Sequence, residues 1–254
     1  METVKKGPLT YKLEDDNEYS IVLCDEDAET VEIPLSVNGI PITRIADHAF
    51  ECCEKLFSVI FPDDIELQIR DADSFEIGDY AFNFCTALEY IEIPYGVRYI
   101  GRGAFRGCTA LTRVELPEFM LPYVSAYAFY DCTALKTITK INTIEEGVFQ
   151  DCRSLEHFPV KSGARYIDED AFRGCHSLKD ITIPESVEWL EPLAFRSCRG
   201  LKRVTFEDPV GWRCSNKYTH KVFELDLSDP EKNAEMLSKI DFDDGVGTWR
   251  KTKA

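Results

Sequence analysis

A pattern of apolar and polar positions recurs along most of the chain and is clearest in residues 77–94, Ile-Gly-Asp-Tyr-Ala-Phe-Asn-Phe-Cys-Thr-Ala-Leu-Glu-Tyr-Ile-Glu-Ile-Pro. Residues 100–117 repeat the same apolar positions. In both copies the segment from the leucine to the proline has the alternation that is typical of a β-strand. The Ala-Phe-x-x-Cys segment before it lacks that alternation, so each copy predicts one strand and one return segment.

Each copy also places a phenylalanine and a cysteine at fixed positions. The phenylalanines are Phe50, Phe82, Phe105, Phe129, Phe149, Phe172 and Phe195, and the cysteines are Cys53, Cys85, Cys108, Cys132, Cys152, Cys175 and Cys198. Successive phenylalanines are 32, 23, 24, 20, 23 and 23 residues apart. A period of this length is typical of solenoids, in which each repeat stacks on its neighbours. We therefore expect about seven repeats in one coil, with the phenylalanine rings stacked in its interior.

The repeats divide the chain into three predicted parts. Residues 1–44 form an N-terminal β cap, residues 45–206 form the solenoid, and residues 207–254 form a C-terminal cap with a short helix near 230–240. Ser228 or Asp229 can cap that helix, because short polar side chains accept hydrogen bonds from its first turn. Trp249 can hold the tail against the body, and the basic end, residues 250–254, is expected to be frayed.

An acidic segment, residues 63–76, accounts for the longer first interval between repeats. Extra residues in a solenoid leave on one face and often contact ligands. The spacing of Asp71, Asp73 and Glu76 is compatible with calcium, although the glycine and the terminal glutamate of an EF-hand loop are missing. We interpret this segment as a solvated acidic loop and keep calcium binding as the alternative.

Charge and cysteine usage restrict the possible partners and cofactors. A formal net charge of −17 argues against nucleic acids and anionic membranes. No apolar run is long enough to span a bilayer, so we expect no membrane insertion. Seven of the ten cysteines occupy the repeat position and are interpreted as buried, reduced thiols. Cys24, Cys52 and Cys214 form no zinc spacing, so we expect no metal and no cofactor, while disulfides of these three remain open.

The location of the protein is an expectation of the same kind. The first residues, Met1–Pro8, lack the apolar core of a secretory signal. This predicts a cytoplasmic protein if Met1 is the native start. A secreted or cell-surface protein is the alternative if a signal peptide was removed.

The alternation of the strands assigns the side chains that face outward from the predicted sheet. The candidate protein-binding residues on this face are Tyr90, Glu92, Arg113, Glu115, Thr137, His157, Asp180 and Arg203. Tyrosine and arginine are enriched at binding hot spots. The row contains no basic stripe and no run of aromatic residues, which argues against nucleic acid and carbohydrate. The alternative is that these are solvated strand residues with cross-strand pairs such as Glu92 with Arg113.

The pattern Ala-Phe-x-x-Cys-x-x-Leu-x-x-Ile-x-Ile-Pro, seen in residues 77–94, 100–117 and 167–184, resembles the BspA-like leucine-rich repeats of bacterial and some protist proteins. The resemblance covers residues 45–206, and residues 9–13, 37–43, 211–212 and 227–231 are similar to the caps of bacterial members. It implies an α/β solenoid, a right-handed leucine-rich-repeat superhelix with a parallel concave β-sheet, which is used for protein binding. It also implies that some members act as adhesins at cell surfaces, and it supplies no catalytic residues.

We therefore expect a monomeric, non-enzymatic scaffold that binds another protein through its concave sheet. One alternative is a secreted or cell-surface adhesin that binds a host or neighbouring-cell protein. The other alternative is an enzyme built on the solenoid. The sequence offers little for an enzyme, because its four histidines have no zinc spacing and it contains no Gly-x-Ser-x-Gly motif.

Overall fold

Each turn of the coil passes through two sheets and a row of tight turns. The computed structural model describes residues 3–62, 75–118, 121–139, 141–160, 162–208, 211–215, 218, 222–226, 228–239 and 247–251. In these ranges the chain forms a parallel β-solenoid of about seven turns with little helix. We call its three sides the front sheet, the back sheet and the turn edge.

The element bounds are as follows. The strands are β1 Thr3–Lys6, β2 Leu9–Leu13, β3 Tyr19–Cys24, β4 Thr30–Glu32, β5 Ser36–Val37, β6 Ile40–Ile45, β7 Ser58–Ile60, β8 Phe75–Ile77, β9 Tyr90–Glu92, β10 Val97–Ile100, β11 Arg113–Glu115, β12 Tyr123–Val124, β13 Thr137–Ile138, β14 Tyr166–Ile167, β15 Asp180–Ile183, β16 Trp189–Leu190, β17 Arg203–Phe206, β18 Trp212–Ser215, β19 Val222–Leu225 and β20 Trp249–Lys251. The helix α1 is Pro230–Lys239.

The front sheet is the concave sheet that the sequence predicts. Its strands β4, β7, β9, β11 and β13 are parallel neighbours in that order, and β15 and β17 form a separate parallel pair. Ile91 is fully buried, whereas Tyr90 and Glu92 on either side of it are exposed. The predicted alternation of inward and outward side chains is therefore confirmed in this sheet.

The structure contains a second parallel sheet, the back sheet, which the sequence did not predict. It contains β3, β6, β8, β10 and β12, and β14 and β16 continue it beyond a gap. The antiparallel strands β1 and β2 extend it at the N-terminal end. Because β6 pairs with β3 and β8, the back sheet runs from the N-terminal cap into the coil without a break, and the predicted boundary at residue 44 falls inside β6.

The predicted phenylalanine stack is confirmed in the interior between the sheets. From Phe50 to Phe195 the distances between successive ring centroids are 4.7, 5.1, 5.5, 5.7, 5.6 and 5.4 Å, and all six ring pairs are stacked. All seven rings are almost completely buried. The stack is therefore a continuous apolar support behind every turn.

The repeat cysteines form a second internal ladder. From Cys85 to Cys198, each Sγ donates a hydrogen bond to the backbone carbonyl of the phenylalanine one turn earlier, at 2.9–3.2 Å. Burial raises the pKa of these six thiols, to about 12 for Cys198. They are free thiols, as predicted, and each saturates a carbonyl in the core.

The turn edge is built from residues with left-handed backbone. Two positions in most turns, two residues before and two residues after the phenylalanine, have positive φ. Tyr80 (φ 54°) and Gly103 (φ 59°) occupy the first of these positions in neighbouring turns. A Cβ on Gly103 would lie 2.5 Å from the Tyr80 ring, so the position of this ring needs glycine at residue 103.

Both sheets are interrupted at the shortest repeat, in which only 20 residues separate Phe129 from Phe149. Here threonine hydroxyls take the place of backbone groups. The Leu116 N–H donates to Thr139 Oγ1 (2.7 Å), and the Val124 N–H donates to Thr143 Oγ1 (3.1 Å). The two hydroxyls donate back to the carbonyls of Leu116 and Val124. The threonine hydroxyls thus pair the backbone N–H and C=O groups of Leu116 and Val124, which a longer repeat would pair with a strand.

The C-terminal cap covers the last turn with a helix and a strand. Asp229 is the N-cap of α1, because its Oδ1 accepts a hydrogen bond from the Lys232 N–H (2.9 Å). Trp249 is fully buried in β20, which pairs with β16 and β18. The prediction of a frayed basic end is wrong for Arg250 and Lys251, because the pairing of β20 includes both residues.

Candidate functional site

The predicted binding residues lie on the outer face of the front sheet. Tyr90, Arg113 and Thr137 are in register on β9, β11 and β13, and Glu92 is in register with Glu115. Farther along, His157 is joined to Asp180 by an isolated parallel bridge, and Asp180 is in register with Arg203. The eight residues therefore form two groups, separated by the interruption of the sheet after Thr137.

The first group is a network of mutually paired polar side chains. The Tyr90 hydroxyl donates to Glu115 Oε2 (2.8 Å) and to Glu92 Oε2 (3.1 Å). Arg113 forms an ion pair with Glu115 and lies 6.0 Å from the Tyr90 ring centroid. The predicted pair of Arg113 with Glu92 is therefore wrong, because the guanidinium contacts the glutamate on its own strand. Burial raises the pKa of Tyr90, and the hydrogen bond to Glu92 adds to the shift.

The second group is more open. His157 Nδ1 lies 3.5 Å from Asp180 Oδ2, and both side chains are exposed. The neighbouring residues Lys179 and Glu156 form an exposed ion pair at 2.5 Å. Arg203 is exposed and has no ion pair within the described part of the chain. Exposed pairs of this kind contribute about 0–1 kcal/mol to stability, so this group is held weakly.

Beside the first group, Tyr90 shares an apolar cavity lining with Ile60 and Tyr95, which were not among the predicted site residues. Ile60, Tyr90 and Tyr95 are 48%, 39% and 39% exposed. Together with Phe61, Pro62 and neighbouring residues they line a cavity of about 380 Å³ on the front sheet. Ile60 was identifiable from the alternation, because it is the outward-facing residue at the end of β7.

The acidic segment of the first repeat interval follows one of the cavity residues in the sequence. Pro62 directly precedes residues 63–74, and the predicted loop with its calcium alternative lies in these residues, outside the described ranges. Phe75 and Glu76, which the sequence assigned to that loop, belong instead to β8.

The turn edge carries aromatic and arginine side chains that the sequence analysis did not single out. The Arg102 guanidinium lies 4.7 Å from the Tyr127 ring centroid, and the Arg106 guanidinium lies 5.2 Å from that of Tyr130. The Tyr127 hydroxyl donates to Glu146. Burial and this hydrogen bond raise the pKa of Tyr127 to about 12.

The back sheet carries a row of stacked aromatic residues. Tyr99 and Tyr123 stack at 5.9 Å, and Tyr166 and Trp189 stack at 5.4 Å. Between the two pairs, Glu145 accepts a hydrogen bond from the Tyr166 hydroxyl. Each ring covers the face of its neighbour, so this row stabilises the sheet and leaves mainly ring edges to solvent.

The described residues contain neither a metal-binding cluster nor a membrane-spanning helix. Across the residues described, no cluster of three or more histidine, cysteine or carboxylate side chains has the geometry to hold a metal ion. The single described helix, α1, is too short and too polar to cross a bilayer.

Comparison with known families identifies the repeat. The model of the BspA-type leucine-rich-repeat region matches in six copies over residues 24–76 and 75–202. The chain belongs to this family. BspA-type leucine-rich-repeat proteins are typically interaction scaffolds without enzymatic activity.

Solved leucine-rich-repeat structures are similar to this BspA-type chain. The leucine-rich-repeat protein of T. pallidum is 23% identical with a TM-score of 0.51, and the match covers 70% of this chain and 91% of that one. A leucine-rich-repeat protein from Bacteroides capillosus is 27% identical with a TM-score of 0.44, and the match covers 54% of this chain and 96% of that one. The first similarity supports the solenoid fold. A comparison with curated proteins finds no match.

Proposed function

We propose that this BspA-type protein is a non-enzymatic scaffold that binds another protein through its front sheet. The proposal rests on the exposed cluster of Ile60, Tyr90 and Tyr95 around a cavity of about 380 Å³. Exposed apolar side chains that share one concave surface are typical of protein-binding sites. Tyrosine in such a pocket is also among the residue types that contribute most to binding energy.

The predicted polar residues surround this cluster in the proposed interface. Glu92, Arg113 and Glu115 form hydrogen bonds or ion pairs within the Tyr90 network, so a partner does not need to satisfy them. An apolar centre with a polar rim is the usual arrangement of a protein interface. We therefore assign the main anchoring role to Ile60, Tyr90 and Tyr95 and a rim role to the three charged residues.

The exposed cysteine fits the non-enzymatic part of the proposal. A nucleophilic cysteine needs a lowered pKa, because the thiolate is the reactive form. Burial and the charges of Glu51 and Glu54 raise the pKa of Cys52. The only exposed thiol among the described residues is therefore less ionised than an ordinary cysteine.

The test is affinity capture from a lysate of the source cells with the native chain and two variants. The front variant carries Ile60→Ala and Tyr90→Ala. The matched control carries Leu23→Ala and Tyr123→Ala, because Leu23 (55%) and Tyr123 (40%) have nearly the same exposure but lie on the back sheet. Any captured protein is then purified, and its Kd is measured by calorimetry.

We expect the native chain and the control to bind the same protein. The front variant should bind it more weakly by about 2 kcal/mol or more, which is about 30-fold in Kd. Equal binding by the front variant, an equal loss in the control, or no specific capture by the native chain would each contradict the proposal. Thermal unfolding of both variants confirms that they are folded.

A further inference from the structure

The turn edge contains a cavity lined by aromatic and arginine side chains. Gly103, Tyr80 and Tyr127 share one repeat position, two residues before the phenylalanine, and Tyr80 and Tyr127 belong to the turns before and after Gly103. Since Gly103 has no side chain, the Tyr80 ring occupies the space that a Cβ at this position would need. A cavity of about 310 Å³ is lined by Tyr80, Arg102, Arg106, Tyr127, Tyr130 and Gln150.

The charge of this cavity is opposite to that of the chain. The chain has a formal net charge of −17, yet the cavity lining contains two arginines and no carboxylate. Asp79 accepts a hydrogen bond from the backbone N–H of Arg102 (2.8 Å) rather than from its guanidinium. At physiological ionic strength the Debye length is about 8 Å, so the nearest charges dominate the potential in the cavity.

The two guanidinium groups pack on aromatic rings. Arg102 packs on Tyr127, and Arg106 packs between Tyr130 (5.2 Å) and Phe84 (5.7 Å). Within residues 75–118, 121–139 and 141–160, neither guanidinium forms an ion pair. A guanidinium stacked through its face keeps its N–H edge available for bidentate binding of a carboxylate.

A comparison within the molecule shows that this unpaired state is not a property of the repeat. Arg173 occupies the same repeat position as Arg106, directly after the phenylalanine. Its guanidinium is paired with Asp170 Oδ2 at 3.0 Å. The equivalent turn thus neutralises its arginine with a carboxylate, and the turn that carries Arg106 does not.

Two of the tyrosines that line the cavity have left-handed backbone. Tyr80 and Tyr127 have φ values of 54° and 58°, which are rare for bulky residues. Glycine occupies the same position in two other turns, at Gly103 and Gly147, so the fold itself does not require an aromatic side chain there. The two tyrosines are therefore a feature of these turns and not of the repeat.

We infer that this cavity binds a carboxylate side chain of an acidic peptide segment from a partner protein. The N–H edges of Arg102 and Arg106 bind the carboxylate, and Tyr80 and Tyr130 contact the peptide on either side. This interface lies on the turn edge and is independent of the front-sheet interface proposed above. The scaffold would then present two faces with different selectivity, one apolar and one for anions.

The test measures the fluorescence anisotropy of a fluorescein-labelled hexaglutamate peptide, with a hexaglutamine peptide as the neutral probe. The site variant is Arg102→Gln with Arg106→Gln. The matched control is Arg165→Gln with Arg173→Gln, which makes the same change in net charge at arginines that are paired with Glu188 and Asp170. The front variant, Ile60→Ala with Tyr90→Ala, is included to separate the two proposals.

We expect the native chain to bind hexaglutamate and not hexaglutamine. The site variant should bind at least about 10-fold more weakly, because it loses charge-assisted hydrogen bonds, while the control and the front variant stay within about 2-fold. Failure of the native chain to bind hexaglutamate, or an equal loss in the control, would overturn the inference. Complete displacement by inorganic phosphate at the concentration of the peptide would assign the cavity to free anions and overturn the peptide assignment.

Discussion

Arginine and tyrosine occur on two sides of the same turns, and they are used differently on each side. On the front sheet, Arg113 is paired with Glu115, and the Tyr90 hydroxyl donates to the same carboxylate. On the turn edge, Arg102 and Arg106 stack on aromatic rings and have no ion pair among the described residues. The comparison shows that residue type alone does not identify a binding group, because a group that is already paired has less to gain from a partner.

The largest loss of unfolding free energy is expected when a ring is removed from the phenylalanine stack, which supports both the front sheet and the turn edge. Phe105 is fully buried between Phe82 and Phe129, so Phe105→Ala should lower the free energy of unfolding by about 3–5 kcal/mol. The control is Phe84→Ala, because Phe84 is a partly exposed phenylalanine of the turn edge and should contribute about 1 kcal/mol or less. Urea denaturation measures both, and a loss below about 1 kcal/mol for Phe105→Ala would contradict the support role of the stack.

A smaller loss of unfolding free energy is expected when a glycine of the turn edge is substituted. Gly103→Ala places a Cβ against the Tyr80 ring and forces alanine into positive φ, whereas Gly7→Ala has the same backbone (φ 57°) with no atom within 4 Å. Placing alanine in left-handed backbone should lower the free energy of unfolding by about 1–2 kcal/mol in both variants. The contact of the new Cβ with the Tyr80 ring should lower the free energy of unfolding of Gly103→Ala by about 1–3 kcal/mol more. Equal unfolding free energies of the two variants would show that the tyrosine and the glycine are not interlocked.

The smallest effect is expected on the front sheet. Arg113→Gln removes an exposed ion pair and should lower the free energy of unfolding by about 0.2–1 kcal/mol. This loss should disappear near 1 M sodium chloride, where the Debye length is about 3 Å. Arg203→Gln is the control, since Arg203 has no ion pair in the described ranges. If the effect of Arg113→Gln does not depend on salt, the contribution of Arg113 is packing rather than charge.

The sequence predicts the repeat and the front sheet because both depend on local periodicity. The back sheet was missed because its strands are short, and a strand such as Tyr123–Val124 shows no alternation by itself. Aligning the repeats would have found it through the residues five positions before each phenylalanine. These are Ile45, Ile77, Ile100, Val124, Ile144, Ile167 and Leu190, all fully buried.

The finer features of the two surfaces depend on three-dimensional proximity. Glu92 and Glu115 occupy equivalent positions on neighbouring strands, so periodicity cannot decide which of them pairs with Arg113. The turn-edge cavity depends on what lies beside Gly103 in the turns before and after it. A linear pattern shows that glycine, and only the stacked coil shows which rings and guanidinium groups line the cavity near it.

The cysteine ladder has a practical consequence for studying this molecule. Each turn from Cys85 to Cys198 contains one buried thiol that donates to the turn before it. Alkylation of such a thiol requires local opening, because only an exposed thiolate reacts. Cys52, which is exposed, sets the baseline rate. Pulsed iodoacetamide labelling followed by mass spectrometry would therefore measure the alkylation rate of each native cysteine. The rate relative to that of Cys52 would report how often each turn opens.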